Sequence, residues 1–479
     1  MKILIGYPPL KSEKGIPTLS QNRQFQWFSN PTLIFPIVMG SAATLLKSKG
    51  YDICWKDCIA ENVSDEEFFS YLEQNNFDAF MFETKTPVIK EHWKYINKIK
   101  EKFPKLKIIL VGDHVSALPE ESFRESKVDY VLTGGDYDFL LLNLVEHVSK
   151  SIELEKGIYY RVGKKVENTG KFELNRNLNE LPFIDRDLCN WKLYQKEYNF
   201  PERPYMYIMS GRDCWYGKCK FCAWPTLYPK FRTRKVENVL DEIGILIDKY
   251  KIKGIFDDSG TFPIGSWLVD FCNGMISRGY NKRIKINCNM RFGALKLEDY
   301  KLMKEAGFRL LKFGLESGNQ KTLDFIDKNI KINDIIEGCE LAKKARLIVH
   351  LTMITGWPES IETYEEAMNT YKLAKKLMVS GKADVLQATI VVPYPGTKLY
   401  EEALKNKWFR IDPKDYDKYD MKGSVLKENS SVICKEIYKI FINPKYVIRH
   451  LFKIRSFSDV KYTLRGFYAV IGHMKDFLK

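Results

Sequence analysis

The chain has 479 residues, 45% hydrophobic and 29% charged, with ten cysteines and a formal charge of +15. This is ordinary globular composition with length for two or three domains, and ten cysteines in such a length exclude a disulfide-stapled scaffold, so a reducing, cytoplasmic setting is expected. No run reaches the roughly 18 apolar residues of a membrane span, and the opening MKILIGYPP is too short an apolar run for a signal peptide.

In residues 1–150 strand and helix signals alternate. Apolar runs at 2–6, 51–55, 79–83, 107–111 and 128–132 predict strands, and 37–49, 66–75, 92–102 and 139–148 predict helices. Such alternation implies a doubly wound parallel sheet of Rossmann type, which binds ligands at the carboxyl ends of its strands. Residues 151–200 read as a linker containing a hairpin, with strands expected at 157–166 and 170–174.

A second alternating pattern covers 201–410. Strands are expected at 205–210, 254–256, 284–288, 310–315, 347–355 and 385–392, separated by helical stretches. Six strands of this kind make a partial (β/α)6 barrel, two short of a closed eightfold one. The polar clusters fall at the strand ends, where barrels place their chemistry.

The first of these strands leads into SGRDCWYGKCKFCAWP, which holds Cys214, Cys219 and Cys222 within nine residues. Thiolates are soft ligands that select iron–sulfur clusters, zinc or copper(I). A structural zinc site needs a fourth ligand, yet no other cysteine is near and no histidine lies between His147 and His350. Three cysteines on a [4Fe–4S] cluster leave one iron open to a small molecule. The alternatives are structural cysteines or a zinc site completed from a distance.

Residues 411–479 form a basic helical segment, with ten Lys/Arg against three Asp/Glu over 435–479. Helices are expected at 434–441, 444–453 and 460–477. Their interleaved aromatics and bases suit an anionic membrane surface, RNA, or a cap packed on the barrel.

The cysteine loop and the strand-end motifs that follow it resemble the radical S-adenosylmethionine (radical SAM) enzymes over roughly 205–410. The family spacing is Cys-x3-Cys-x2-Cys; here the first gap, around Trp215–Lys218, is one residue longer. The resemblance implies that Cys214, Cys219 and Cys222 are metal ligands and catalytic, with SAM on the fourth iron. It also implies that Phe221 lies near adenine, that Asp257, Asp258 and Ser259 receive the SAM amino group, that Arg291 pairs with its carboxylate, and that Glu316 and Ser317 contact the ribose or amino acid part.

The first domain is similar to the cobalamin-binding domain of the B12-type radical SAM class, through a helix entered from Pro36 and through Asp57, Gly112, His114 and Gly134. The Asp-x-His-x-x-Gly signature is absent, because Asp57 is followed by Cys58, Ile59 and Ala60; the resemblance therefore implies base-off cobalamin.

The motifs look closest to members that tailor hopanoids and other membrane lipids. The implied activity is methylation or rearrangement of an unactivated carbon of a small molecule or lipid. It would be served by an electron donor such as flavodoxin or ferredoxin, in a cytoplasmic protein with possible membrane association. An RNA-modifying enzyme of methylthiotransferase type is the alternative, although such enzymes carry three further clustered cysteines where this chain has only Cys54 and Cys58. A non-enzymatic iron–sulfur or cobalamin carrier is the third reading.

Overall fold

The computed structural model describes residues 1–19, 27–29, 33–195, 201–421, 423–427 and 430–452, with isolated positions at 460, 466 and 472. Two sheets dominate. The first has seven strands: β1 (Lys2–Tyr7), β2 (Asp52–Asp57), β3 (Ala79–Thr84), β4 (Lys107–Gly112), β5 (Tyr130–Leu132), β6 (Ile158–Val162) and β7 (Lys165–Asn168), in the order β2-β1-β3-β4-β5-β6-β7. The first five run parallel. The hairpin β6–β7 adds antiparallel, with Val131 opposite Tyr159, so the sheet continues to Asn168.

That hairpin lies earlier than its composition suggests. Its two-residue turn is Gly163-Lys164, between paired Val162 and Lys165, inside the stretch expected to be one strand. Gly163 adopts φ +59°, a left-handed conformation that glycine takes without steric cost and that tight hairpin turns require.

The second sheet has six parallel strands in chain order: β8 (Tyr205–Ile208), β9 (Gly254–Asp257), β10 (Lys285–Met290), β11 (Phe308–Glu316), β12 (Ile348–Thr355) and β13 (Val385–Ile390). This is the partial barrel expected from the six apolar runs.

Strand alternation sorts the first sheet's side chains onto two buried faces. Ile3, Ile5, Met81, Ile109 and Val111 pack under the helices Ile37–Ser48 and Tyr137–Lys150. Leu4, Phe80, Phe82, Ile108 and Leu110 join the apolar cluster that continues into the barrel. Burial on both faces is why these strands are apolar throughout rather than alternating.

Buried ion pairs join the first domain and the linker to the barrel. Arg212 meets Asp136 at 3.0 Å and Asp138 at 2.5 Å, Arg232 also reaches Asp136 (2.7 Å), and Glu242 takes both Arg186 (3.1 Å) and Arg234 (2.5 Å). Beside them Tyr228 donates to the Gly135 carbonyl at 2.8 Å. Gly135 lies against the Tyr228 ring so closely that a Cβ would collide with it.

The described part of the basic segment packs on the barrel. Tyr438 bonds Ala388 and Tyr446 donates to the Asp384 carbonyl. The expected helix at 460–477 lies outside the described residues apart from isolated positions. Among the described residues no helix is long and apolar enough to cross a membrane.

Candidate active site

Past β8 the chain makes a short antiparallel pairing, Gly211 with Thr233 and Arg212 with Arg232. Residues 213–231 are thereby a loop closed at its base, and the three cysteines ride on it. Within the lengthened first gap, Gly217 takes φ +58°, which lets the chain turn there. Trp215 donates to the Phe262 carbonyl (3.3 Å) on one side and the Tyr216 hydroxyl to the Asp327 carbonyl on the other. The lengthened gap is thus pinned to the segments that follow β9 and β11.

Cys214, Cys219 and Cys222 are all half-buried, whereas six of the other seven cysteines are buried. All three line one cavity of about 230 Å³ at the carboxyl ends of the barrel strands, together with Phe221, Asp258, Arg291 and Glu316. Burial pushes the Cys219 thiol up, and the nearby Lys328 ammonium works against that rise. Cys214 Sγ lies 3.2 Å from Thr261 Oγ1. Among the described residues no three His, Cys, Asp or Glu side chains converge closely enough for a single metal ion. A four-iron cluster spreads its ligands around a larger body, and the three sulfurs facing one cavity from one loop suit that arrangement.

The strand-end residues divide into two groups. Asp258, Arg291 and Glu316 face the cavity, whereas Asp257, Ser259 and Ser317 do not line it. Asp257 is spent inside the protein. It accepts from the Ser210 hydroxyl and, at about 3 Å, from the backbone N–H groups of Ser210 and Ser259, and burial raises its carboxyl. Ser259 Oγ accepts from Gly211 N–H at 2.9 Å. These bonds hold the base of the cysteine loop. Ser317 donates to the buried Glu362 at 2.8 Å.

Arg291 stacks on the Tyr216 ring, its guanidinium carbon 3.7 Å from the centroid, and donates to the carbonyls of Lys328 and Asn329. Glu316 adopts φ +60° and is held by Lys328 at 2.7 Å in a nearly buried pair. Burial lowers the Lys328 amine, but Glu316 outweighs it and the net shift is upward. Gly314 makes the pair possible, since a Cβ there would strike both groups. Phe221 rests edge-on against buried Trp357, centroids 6.0 Å apart.

Sequence reasoning missed Lys328, and it missed Lys312 and Gln387, which also line the cavity. The last two had a signal, being polar residues inside the apolar strands LLKFGLE and VLQATI. Phe28 and Ile34 of the first domain also reach this cavity.

The residues expected to contact cobalamin are engaged elsewhere. Asp57 accepts from Ile59 N, Ala60 N and the Tyr194 hydroxyl (2.7–3.1 Å). Gly112 lies against the Thr84 carbonyl and Gly134 against Phe172, each where a Cβ would clash. His114 is fully buried, with Nδ1 3.2 Å from Thr86 and Nε2 3.3 Å from Glu121. None of the four lines the cysteine cavity, and neither His114 nitrogen is open to a cobalt ion. What the strand ends do present is a floor of buried polar groups: Tyr7 donating to Glu83 at 2.8 Å, Thr84, Lys85 and Tyr137.

Burial pushes Asp57 up to about 6 and Glu83 up to about 7. Both sit above their unfolded values near ~4, so their contribution is fully present below that pH and is lost as pH rises through 6–7. His92, which burial pushes down to about 3, acts oppositely, its contribution fading as pH falls below ~6.5. Glu83→Gln is expected to flatten the loss of stability between pH 4.5 and 7 and to exceed the parent at pH 8 by up to ~3 kcal/mol. Urea denaturation across pH checks this, and an unchanged slope contradicts it.

The sequence model of the Radical SAM superfamily matches residues 208–371. This stretch, from the end of β8 to beyond β12, is a radical SAM domain, and the protein is an enzyme built on it. An uncharacterized methyltransferase of Pyrococcus horikoshii is 27% identical and aligns over 98% of both chains. An anaerobic magnesium-protoporphyrin IX monomethyl ester cyclase of Cereibacter sphaeroides is 25% identical over 80% of this chain and 62% of its own. Among solved structures, the cobalamin-dependent SAM radical enzyme OxsB with aqua-cobalamin and SAM bound superposes with a TM-score of 0.71 at 15% identity, over 99% of this chain and 71% of that one. The radical SAM methyltransferase TsrM from Kitasatospora setae, with cobalamin and a [4Fe–4S] cluster bound, gives 0.65 at 14% identity, over 86% and 76%. At these identities the superpositions establish a shared fold across both domains.

Proposed function

We propose that the protein is a cobalamin-dependent radical SAM enzyme that transfers a methyl group to an unactivated carbon of a small molecule or lipid. The observation that carries this is the grouping of Cys214, Cys219 and Cys222 on one loop, facing a cavity that also holds Asp258, Arg291 and Glu316. The full-length relative named as a methyltransferase supports methyl transfer over rearrangement. The methylthiotransferase alternative is weaker, because residues 1–150 hold only Cys54 and Cys58.

In this reading the three cysteines ligate three irons, and bound cluster and cobalamin supply, respectively, the electron that cleaves the SAM sulfonium and a methyl carrier. The chain's own task is to bind and orient. Arg291 offers a cation to the SAM carboxylate while Tyr216 and the Lys328 and Asn329 carbonyls hold it in place. Asp258 suits the ammonium. Glu316, paired with Lys328, suits a hydroxyl or ammonium donor, and Phe221 with Val391 and Val392 gives an apolar wall for adenine.

The residues that would hold cobalamin are the polar groups at the carboxyl ends of β1–β4, below Phe28 and Ile34. With both nitrogens of His114 engaged by Thr86 and Glu121, cobalamin would be held without that histidine. A base-off absorption spectrum on titration with cobalamin is expected, and a histidine-ligated spectrum or no uptake contradicts it. Exposed Ile448, Leu451 and Phe452, the last 82% exposed, support contact of the basic segment with a lipid surface.

The function is tested by incubating the anaerobically reconstituted protein with cobalamin, methyl-labelled SAM and cell extract. Label is expected in a small-molecule or lipid product, and label confined to SAM and macromolecules would overturn the proposal.

A further inference from the structure

On the outer side of the cysteine loop lies a second, larger hollow of about 570 Å³. One wall is the end of β7 and the segment after it, with Asn168, Lys171 and Phe172; the other is the loop itself, with Lys218 and Lys220; Lys398 also lines it. Cys219 and Cys222 line this groove as well as the inner cavity. The loop is therefore a partition, with two of its three cysteines lining the hollows on both sides.

The charge of the groove is one-sided. Four lysines line it and no aspartate or glutamate does. Lys220 is paired with Glu402 at 3.0 Å. Lys171, Lys218 and Lys398 have no carboxylate partner among the described residues, and all three are exposed. The substrate cavity inside has a different character, since three carboxylates, Asp213, Asp258 and Glu316, line it beside its cations Arg291, Lys312 and Lys328.

We propose that this groove docks a small acidic one-electron carrier protein, of flavin or iron–sulfur type, that reduces the cluster through the Cys219–Cys222 side of the loop. The proposal rests on the cluster assignment above and adds the place and sign of the contact. Lysines at the rim attract an acidic partner and orient it. Electron tunnelling falls steeply with distance, and entry here avoids the cavity where SAM and substrate must sit. In the step the reduced carrier loses one electron and the oxidised cluster gains it; no bond of this chain forms or breaks. The hairpin β6–β7, which extends the first sheet, thereby gains a role, because the segment after it carries Lys171 to the groove.

The test compares the reconstituted wild type with Lys171→Glu/Lys398→Glu, two exposed positions outside the inner cavity. SAM cleavage is measured with dithionite and, separately, with enzymatically reduced flavodoxin. With dithionite the two proteins are expected to match in iron content and rate. With flavodoxin the variant's KM for the carrier is expected to rise about tenfold at low salt, and the wild type alone to lose rate as salt is added. Equal flavodoxin dependence in both proteins overturns the proposal. An equal fall with dithionite also overturns it, assigning the lysines to the site itself. Binding of labelled single-stranded RNA lost in the variant, with flavodoxin kinetics unchanged, reassigns the groove to nucleic acid. Failure of the wild type to cleave SAM with dithionite defeats the cluster assignment, a result distinct from failure of docking.

Discussion

Changing Cys214, Cys219 and Cys222 together to alanine is expected to remove about four irons per chain and to abolish SAM cleavage, while the fold survives. The two halves of that expectation have separate grounds. The thiols are half-buried on a loop whose base is fixed by other groups: Asp257 with Ser210 and Ser259, Ser259 with Gly211, and the Gly211–Arg212 pairing with Arg232–Thr233. Their loss leaves the barrel core untouched. None of the other seven cysteines lines the cavity, and Cys272, Cys288, Cys339 and Cys434 are buried in apolar surroundings. Iron analysis, circular dichroism and 5′-deoxyadenosine release check the three parts. Retained cleavage would overturn the site, and lost secondary structure would show that the cysteines support the fold.

Arg212→Ala is expected to be the most damaging single change outside the cysteines. Arg212 is 4% exposed and comes from the barrel, while Asp136 and Asp138 belong to the first domain. Asp136 keeps Arg232 when Arg212 is removed. Asp138 keeps only its own helix backbone, through the Phe139 N–H. Removing one partner of a buried pair leaves an uncompensated charge and costs about 3–5 kcal/mol. Adding Asp138→Asn to Arg212→Ala should restore part of the loss, because the stranded charge then disappears. Denaturant unfolding followed by tryptophan fluorescence reads both. A loss below about 1 kcal/mol, the range of an exposed ion pair, would mean that this pair adds no more to the junction than a surface one.

How far the site could be read in advance depended on what kind of contact makes it. Strand ends were legible because alternation and apolar runs fix where a parallel strand stops, and barrels place polar residues there. Cys214, Asp258, Arg291 and Glu316 fall at or just past such ends and line the cavity, while the roles expected of them came from the family resemblance. Asp257 and Asp258 show the limit, since adjacent strand-end residues point opposite ways and one secures the loop base while the other faces the cavity. Lys328 was not legible, as it arrives from a loop and meets Glu316 only because Gly314 lacks a side chain and Glu316 is left-handed. The lock of Arg212 on Asp136 and Asp138 joins residues more than 70 apart, which no local pattern records. In the first domain the sheet was plain from its apolar runs. Its candidate ligand residues were less plain, because Asp57, Gly112, His114 and Gly134 also serve turns, close packing and buried hydrogen bonds, which look the same in sequence as a cofactor cradle. Gly163 moved the hairpin by a few residues, since a single glycine turn outweighs a run of strand-forming side chains.

The central claim is that the three cysteines hold a cluster with one iron open to SAM. Electron paramagnetic resonance of the dithionite-reduced, reconstituted protein tests it most directly. A reduced four-iron signal is expected whose position shifts when SAM is added, and the shift should vanish in the triple alanine variant. A signal unchanged by SAM, or a protein that takes up zinc and no iron, would contradict it.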